Sequence, residues 1–324
     1  MPRTSSLLAV VLVLLALLGC KHPPTTQPIT HEADAGAGVV PVQARTDFHV
    51  TGSPTSLVVT NNTLVWTDST GAVWSMPANG GEPRQLSDQT HPDFAFHVFA
   101  AGDAVLATSR RDVLRVAVPD GPVEKLGLVL AEYPEASVAD AEFMYLTLFK
   151  RDDIVRVPVG GGAAKKIADL PRGILALHDR KLYAASYSTG ALVELPPSGG
   201  GKPRPIARGL PRPTALAVDA SHAFVFCEKD GTLMRVALAD GDAQVIARGL
   251  VNSDAIVLDG DFVYTRSWGP RKTVLRIPKD GSREPHVLAD DLATPSRIAI
   301  DAEAIYVTSR DDARIVRFAK SALR

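Results

Sequence analysis

Beyond residue 47 the chain alternates short apolar runs with clusters of turn residues. One type of run recurs about every 40 residues, at Leu64–Thr67, Val105–Thr108, Met144–Thr147, Leu182–Ala185, Ala223–Phe226, Phe262–Thr265 and Ile305–Thr308. A fixed period held through seven copies marks a repeat architecture. A second run follows each of the first, as in Val73–Pro77, Ile154–Pro158 and Val274–Pro278. The runs are short, β-branched or aromatic, and bounded by Gly, Pro, Asn and Asp, so they read as strands. Asn79-Gly80-Gly81, Asp120-Gly121, Gly160-Gly161-Gly162, Gly199-Gly200-Gly201, Asp240-Gly241 and Asp280-Gly281 come after the second runs. There they are expected to supply the positive φ of tight hairpins. A third run such as Val245-Ile246-Ala247 follows each turn, and a fourth such as Leu216-Ala217-Val218 precedes each marker. Four antiparallel strands per unit make a β-propeller blade.

The pattern predicts an all-β fold over residues 47–324: a seven-bladed β-propeller of four-stranded antiparallel blades. The seventh unit stops at Arg324, after its third strand. Its fourth strand is expected from the other end of the chain, at Phe48-His49-Val50, so that an N-terminal strand closes the last blade and protects its edge. Blade two diverges most, which leaves open a six-bladed count with one irregular segment. Val65-Trp66-Thr67-Asp68 resembles the YWTD-type propeller repeat, and the wider pattern is similar to NHL-type repeats. The resemblance covers nearly everything after residue 47. It implies the fold, a binding platform as the common use of such propellers, and an enzyme in some of them.

Upstream the pattern changes. Arg3 precedes an unbroken apolar stretch, Leu7–Leu18, and Leu17-Leu18-Gly19-Cys20 ends it. A basic end, a short apolar core and small residues at the cut describe a secretion signal over residues 1–19. The Leu-Leu-Gly-Cys ending resembles the lipobox of bacterial lipoproteins. That resemblance implies cleavage before Cys20, lipidation of its sulfur, and anchoring to a membrane outside the cytoplasm. Lys21 after the cysteine leans toward the outer membrane, with the side it faces left open. Residues 20–46, rich in Pro, Thr, Ala and Gly, read as a disordered tether.

The 35 basic and 36 acidic residues nearly cancel, for a net charge of −1. Nucleic-acid binding, which needs a basic surplus on one face, is thereby disfavoured. With Cys20 lipidated, Cys227 has no partner in the chain and reads as a small buried hydrophobe. No nucleophile-elbow, zinc-protease or paired-cysteine motif occurs. Val159–Lys166 has the glycines of a phosphate cradle but falls between two strands. Glu284-Pro285-His286 falls on an outer strand. Among residues starting the inner strands, Glu135 and Asp254 are the only carboxylates, too few for a cation wanting six or more oxygens. No cofactor, metal ligand or catalytic residue is assigned.

Arg115, Arg156, Arg235, Arg276 and Arg317 recur at one strand position, and repetition in register predicts bridges to neighbouring blades. The loops between the second and third strands share one face with the blade-to-blade connections, and loops on a rigid scaffold carry binding. Candidate binding residues there are Arg110, Arg151, Arg266, Trp268, Arg271 and Arg310. The blade-six loop reads as the longest, with Trp268 between Arg266 and Arg271, and Trp and Arg are common interface anchors. The expected function is a membrane-anchored, non-catalytic binding or scaffolding lipoprotein of the cell envelope, with a monomeric domain. Its partner would be an envelope protein or a polymer. The alternative is a metal-dependent lactonase-like or lyase-like propeller.

Overall fold

The computed structural model describes residues 45–87, 97–102, 104–108, 113–126, 134–148 and 151–323. Cys20, the signal segment, Arg110 and most of the tether lie outside the described residues. Seven four-stranded antiparallel sheets stand around a central channel. The chain enters by β1 (Arg45–His49) and builds blade one from β2 (Pro54–Thr60), β3 (Thr63–Asp68), β4 (Val73–Pro77) and β5 (Arg84–Gln85). Blade two is β6 (His97–Ala101), β7 (Ala104–Thr108), β8 (Val113–Ala117) and β9 (Val123–Lys125). Blade three is β10 (Pro134–Ala139), β11 (Phe143–Leu148), β12 (Asp153–Pro158) and β13 (Lys165–Asp169). Blade four is β14 (Gly173–His178), β15 (Lys181–Ser186), β16 (Leu192–Leu195) and β17 (Arg204–Ala207). Blade five is β18 (Pro213–Val218), β19 (His222–Cys227), β20 (Thr232–Ala237) and β21 (Ala243–Ala247). Blade six is β22 (Ile256–Asp259), β23 (Phe262–Trp268), β24 (Lys272–Pro278) and β25 (His286–Ala289). Blade seven is β26 (Pro295–Ile300), β27 (Ala304–Ser309) and β28 (Arg314–Ala319), with β1 as its outermost strand. The count is seven, and divergent blade two is a complete blade.

The recurrent apolar run is the second strand of each blade. Leu64, Val65 and Trp66 in blade one and Ile305, Tyr306 and Val307 in blade seven are fully or almost fully buried. Consecutive residues of a strand face opposite sides, so such runs serve two interfaces at once. The core is accordingly a ring of seven apolar layers, one between each pair of adjacent blades. The layer between the first and last blades holds Leu57, Leu64, Trp66, Met76, Tyr306 and Ile315, with Phe48 of β1 packed against it.

Closure by an N-terminal strand is as the pattern predicts, and the strand starts earlier than Phe48. Arg45 pairs with Phe318 and His49 with Arg314. Asp47 carries that extension: Arg45 Nε lies 2.7 Å from one of its oxygens and Arg314 2.6 Å from the other. These bridges push the Asp47 carboxyl below its ordinary range against the effect of burial.

Most turn glycines behave as expected. Gly80, Gly161, Gly199, Gly241 and Gly281 have positive φ. Gly121 does not, and the reason for glycine there is close approach: a Cβ would sit 2.4 Å from the Ala117 Cβ. The recurring arginines divide. Arg235 donates to Lys279 O and Arg276 to Leu323 O, each in the next blade. Arg156 instead covers Phe143 of its own blade at 4.2 Å, and Arg115 faces its own blade's Glu124 at 3.8 Å. Arg317 stands across the ladder from its own blade's Tyr306. The predicted bridging to neighbours therefore holds at two positions. These two engage their own sheets as well, Arg235 through Gln244 at 2.7 Å and Arg276 over the Phe262 ring at 3.5 Å.

Candidate functional site at the channel mouth

The inner strands of all seven blades begin at one end of the channel, on the face that carries the loops. Their first residues are placed by a recurring device. In β2, β10, β18 and β26 the pairing slips just after a proline, between Pro54 and Ser56, Pro134 and Ala136, Pro213 and Ala215, and Pro295 and Ile298. Proline has no amide hydrogen for the ladder, and the extra residue after it forms a bulge that re-aims a side chain. A buried hydroxyl from the second strand satisfies the disturbed backbone. Ala136 N donates to Thr147 Oγ1 at 2.9 Å, and Arg297 N donates to Thr308 Oγ1 at 2.9 Å. Thr265 Oγ1 donates to Ala255 O at 2.7 Å. The threonine that ends so many of the recurrent runs thus shapes the mouth, a role that the strand pattern does not reveal.

The mouth opens into a cavity of about 620 Å³. Ser56, His97, Arg172, Thr214, Asp254 and Arg297 stand at its rim. Leu57, Val98, Ile174, Leu216, Ile256 and Ile298, one or two residues further along the same strands, line its wall. The lining mixes polar and apolar side chains, the usual composition of a pocket for an organic ligand.

Among the described residues, Arg172, Arg212, Arg266, Arg297, Asp254 and Glu228 stand around this rim. Asp254 accepts a hydrogen bond from Arg266, whose side chain is only 6% exposed. Arg266 also donates to Ser296 O at 2.9 Å and to Asn252 O at 3.2 Å. Burial lowers the proton affinity of Arg266, Asp254 counters it, and the nearby Arg297 charge adds to the lowering. Glu228 accepts from the Tyr187 hydroxyl at 3.1 Å and lies 3.5 Å from Arg212, which itself donates to that hydroxyl. Arg172 lies over the Tyr187 ring at 4.3 Å, a cation–π contact. Arg297 reaches past blade one to blade two, where its guanidinium meets His97 Nδ1 at 3.3 Å.

Burial, with the Arg297 charge, pulls the His97 imidazole down to about 4. With a guanidinium on Nδ1, the neutral ring accepts there and holds its hydrogen on Nε2. In the unfolded chain this histidine takes up a proton near pH 6.5, and in the folded protein only near pH 4. Its contribution to stability is fully present above pH 6.5 and is lost as the pH falls toward 4, by roughly 2–3 kcal/mol. Urea unfolding at pH 7.5 and pH 4.5 checks this. His97→Asn is expected to lose less stability between the two than the parent does, and equal losses would count against it.

Of the binding residues expected on this face, Arg110 lies outside the described residues. Arg266 is a buried member of the mouth. Trp268 lies in β23, its Nε1 donating to Pro295 O at 3.0 Å and its ring 4.4 Å from the Arg266 guanidinium carbon. The expected long blade-six loop is mostly strand. Ser267 pairs with Thr273 and Trp268 with Lys272, so the hairpin extends upward and turns over a few residues. Arg271 is exposed and faces Asp290 at 3.6 Å. Arg151 pairs with Asp153 at 2.8 Å and Arg310 with Asp311 at 3.0 Å. Only Arg266 and Trp268 are therefore brought to the mouth, while Arg151, Arg271 and Arg310 are spaced around the rim in separate pairs. His97, Arg172, Tyr187, Arg212, Glu228 and Arg297 join the site without having been singled out. The signal they share in the sequence is a place at the start of an inner strand or just past the end of a second one.

Among the described residues, no three His, Cys, Asp or Glu side chains come together as a metal-binding group. Cys227 is buried in β19, and burial raises its thiol to about 12. That is the state of an inert core thiol.

No family model matches the chain. It is 25% identical over 186 residues to a virginiamycin B lyase of Nocardia farcinica, an alignment covering 56% of this chain. The match spans 64% of that enzyme, less than two thirds of its length. Among solved structures, a catalytically inactive histidine-to-alanine form of virginiamycin B lyase from Staphylococcus aureus, with quinupristin, superposes with a TM-score of 0.70. It is 15% identical, over 85% of this chain and 98% of that one. YCF48 bound to D1 peptide superposes with a TM-score of 0.63 at 11% identity, over 85% of this chain and 95% of that one. The structural likenesses show the fold, and the chain is a seven-bladed propeller with distant similarity to virginiamycin B lyase.

Proposed function

We propose that this chain is an exported, lipid-anchored propeller that binds an envelope protein or polymer across its loop-bearing face, without catalysis. The observation that carries the reading is the state of the acids at the channel mouth. Asp254 is held by Arg266 and Glu228 by Tyr187 and Arg212. Each of these two gives one oxygen to an arginine, which fixes the rim and suits a rigid recognition surface. The lipobox-like ending at Cys20 supports the anchor, and the tether after it supports a domain held off the membrane. The loop-bearing face, with Trp268 standing beside the mouth, supports docking of a partner there.

A second reading, a propeller lyase, is favoured by the sequence similarity to virginiamycin B lyase. Two measurements separate them. Purified full-length protein is expected to return quinupristin unchanged by chromatography, and steady conversion would overturn the non-catalytic reading. Crosslinking in intact cells is expected to attach one envelope component to the parent protein and at least about threefold less of it to Trp268→Ala. An unchanged yield would remove Trp268 from the docking surface. The absence of any attached component would overturn the binding reading.

A further inference from the structure

Arg297 stands on the bulge of β26, at the rim of the cavity, with its side chain half-buried. A guanidinium carries five donors and a fixed positive charge. Among the described residues it meets no carboxylate, and its one side-chain hydrogen bond is to the neutral His97. The neighbouring charges do not offset it. Asp254 gives an oxygen to Arg266, and Glu228 gives one to Arg212 and Tyr187. Bulging the strand costs a ladder bond, and here it lifts into the cavity a cation that meets no carboxylate among the described residues.

We infer that the channel mouth recognises a carboxylate joined to an apolar body, the carboxylate on Arg297 beside His97 and the body against the apolar part of the lining. This rests on the binding reading above and names the chemical group that would be bound. The fork of a guanidinium matches a carboxylate through paired, charge-assisted hydrogen bonds. The Nε2 hydrogen of His97 is a further donor with no charge of its own. A bare inorganic anion would use the rim and leave the partly exposed Ile174 and Ile256 without contacts. An apolar molecule without the acid would leave the guanidinium partly desolvated and unpaired, which costs more than it gains. A free fatty acid and the apolar C-terminal residue of a peptide chain share this chemistry.

Calorimetric titration of the purified full-length protein at pH 7.5 tests the inference with octanoate, octan-1-ol, inorganic phosphate and a short peptide ending in leucine with a free or an amidated terminus. Octanoate is expected to bind saturably with one site per chain, at least about tenfold tighter than the alcohol or phosphate. The free peptide should exceed its amide by a similar factor, and the ranking of octanoate against the free peptide tells which source fits better. Arg297→Met is expected to abolish the preference for octanoate over octanol. The comparison on the parent protein needs no variant, so misfolding of Arg297→Met would not obscure it. Equal binding of acid and alcohol, phosphate binding as tight as octanoate, or no saturable binding of octanoate and the free peptide would each overturn the inference. The crosslinking result decides the binding reading independently.

Discussion

A chain beginning at Thr51, and so lacking β1, is expected to unfold at least about 10 °C below the full protein. The deletion removes the outer strand of blade seven and exposes the β28 edge. It also removes Val50, whose amide donates to Ala313 O at 2.9 Å and whose side chain is buried. Phe48 goes too, and it lies close enough to blade one that a Cβ on Gly80 would be 2.8 Å from its ring. Burial of these two side chains is worth about 3–4 kcal/mol. The ladder and the Arg45–Asp47–Arg314 bridges add to it, although partly solvated bridges contribute little each. Total stabilities run at about 5–15 kcal/mol, so the loss is a large share. Thermal unfolding followed by circular dichroism reads it directly. A synthetic peptide spanning residues 40–50 should restore part of the difference when added to the shortened chain. A midpoint within about 3 °C of the parent would show that β1 is an ornament on an already closed ring.

Trp66→Ala carries the second large effect, about 3–5 kcal/mol of stability. Trp66 is 0% exposed, stacks on Trp74 with ring centres 6.4 Å apart, and fills the apolar layer between the first and last blades. Its truncation leaves a cavity in the layer where the two ends of the chain meet. Trp66→Phe provides the contrast. The indole nitrogen of Trp66 is buried with no partner among the described residues, and an unmet buried donor is itself costly. Phenylalanine gives up some volume and removes that donor, so its cost is expected to stay under about 2 kcal/mol. Denaturant midpoints at unchanged slope measure both. If the alanine form cost no more than the phenylalanine form, packing in this layer would not be what holds the ring shut.

The fold was legible because the signal repeats. One apolar run of Leu64–Thr67 type is ambiguous between buried strand and helix, whereas seven in register with glycine turns between them are not. The missing strand in blade seven was also readable, since an open edge demands a partner. What the pattern could not show was which polar residues meet. His97 and Arg297 are 200 residues apart and touch only because the ring brings blade seven near blade two. Arg266 looked like a loop cation because Trp268 and Pro270 follow it. It is buried because it stands inside the β23–β24 ladder opposite Val274, where the other hairpins also still pair, as Phe226 does with Leu233 and Thr308 with Ile315. Arg172 and Arg212 lie where the chain enters blades four and five and differ in sequence context from Arg297. Nothing in the local pattern distinguished them from the solvent-facing arginines Arg151 and Arg310, which end in simple ion pairs.

The pairing of Asp47 with Arg314 joins positions 267 residues apart in the chain. A polypeptide is made from its N-terminus, so β1 exists through almost the whole of synthesis without the strand it belongs to. Each blade from one to six has its four strands in order and is able to form as it emerges. The first strand waits for the last, and contacts of such separation are slow to form. Any product that stops short of β28 carries β1 as an unpaired strand, marking the chain as unfinished in a form that chaperones and proteases recognise. Closing the circle with its own beginning therefore makes the molecule a test of its own completeness.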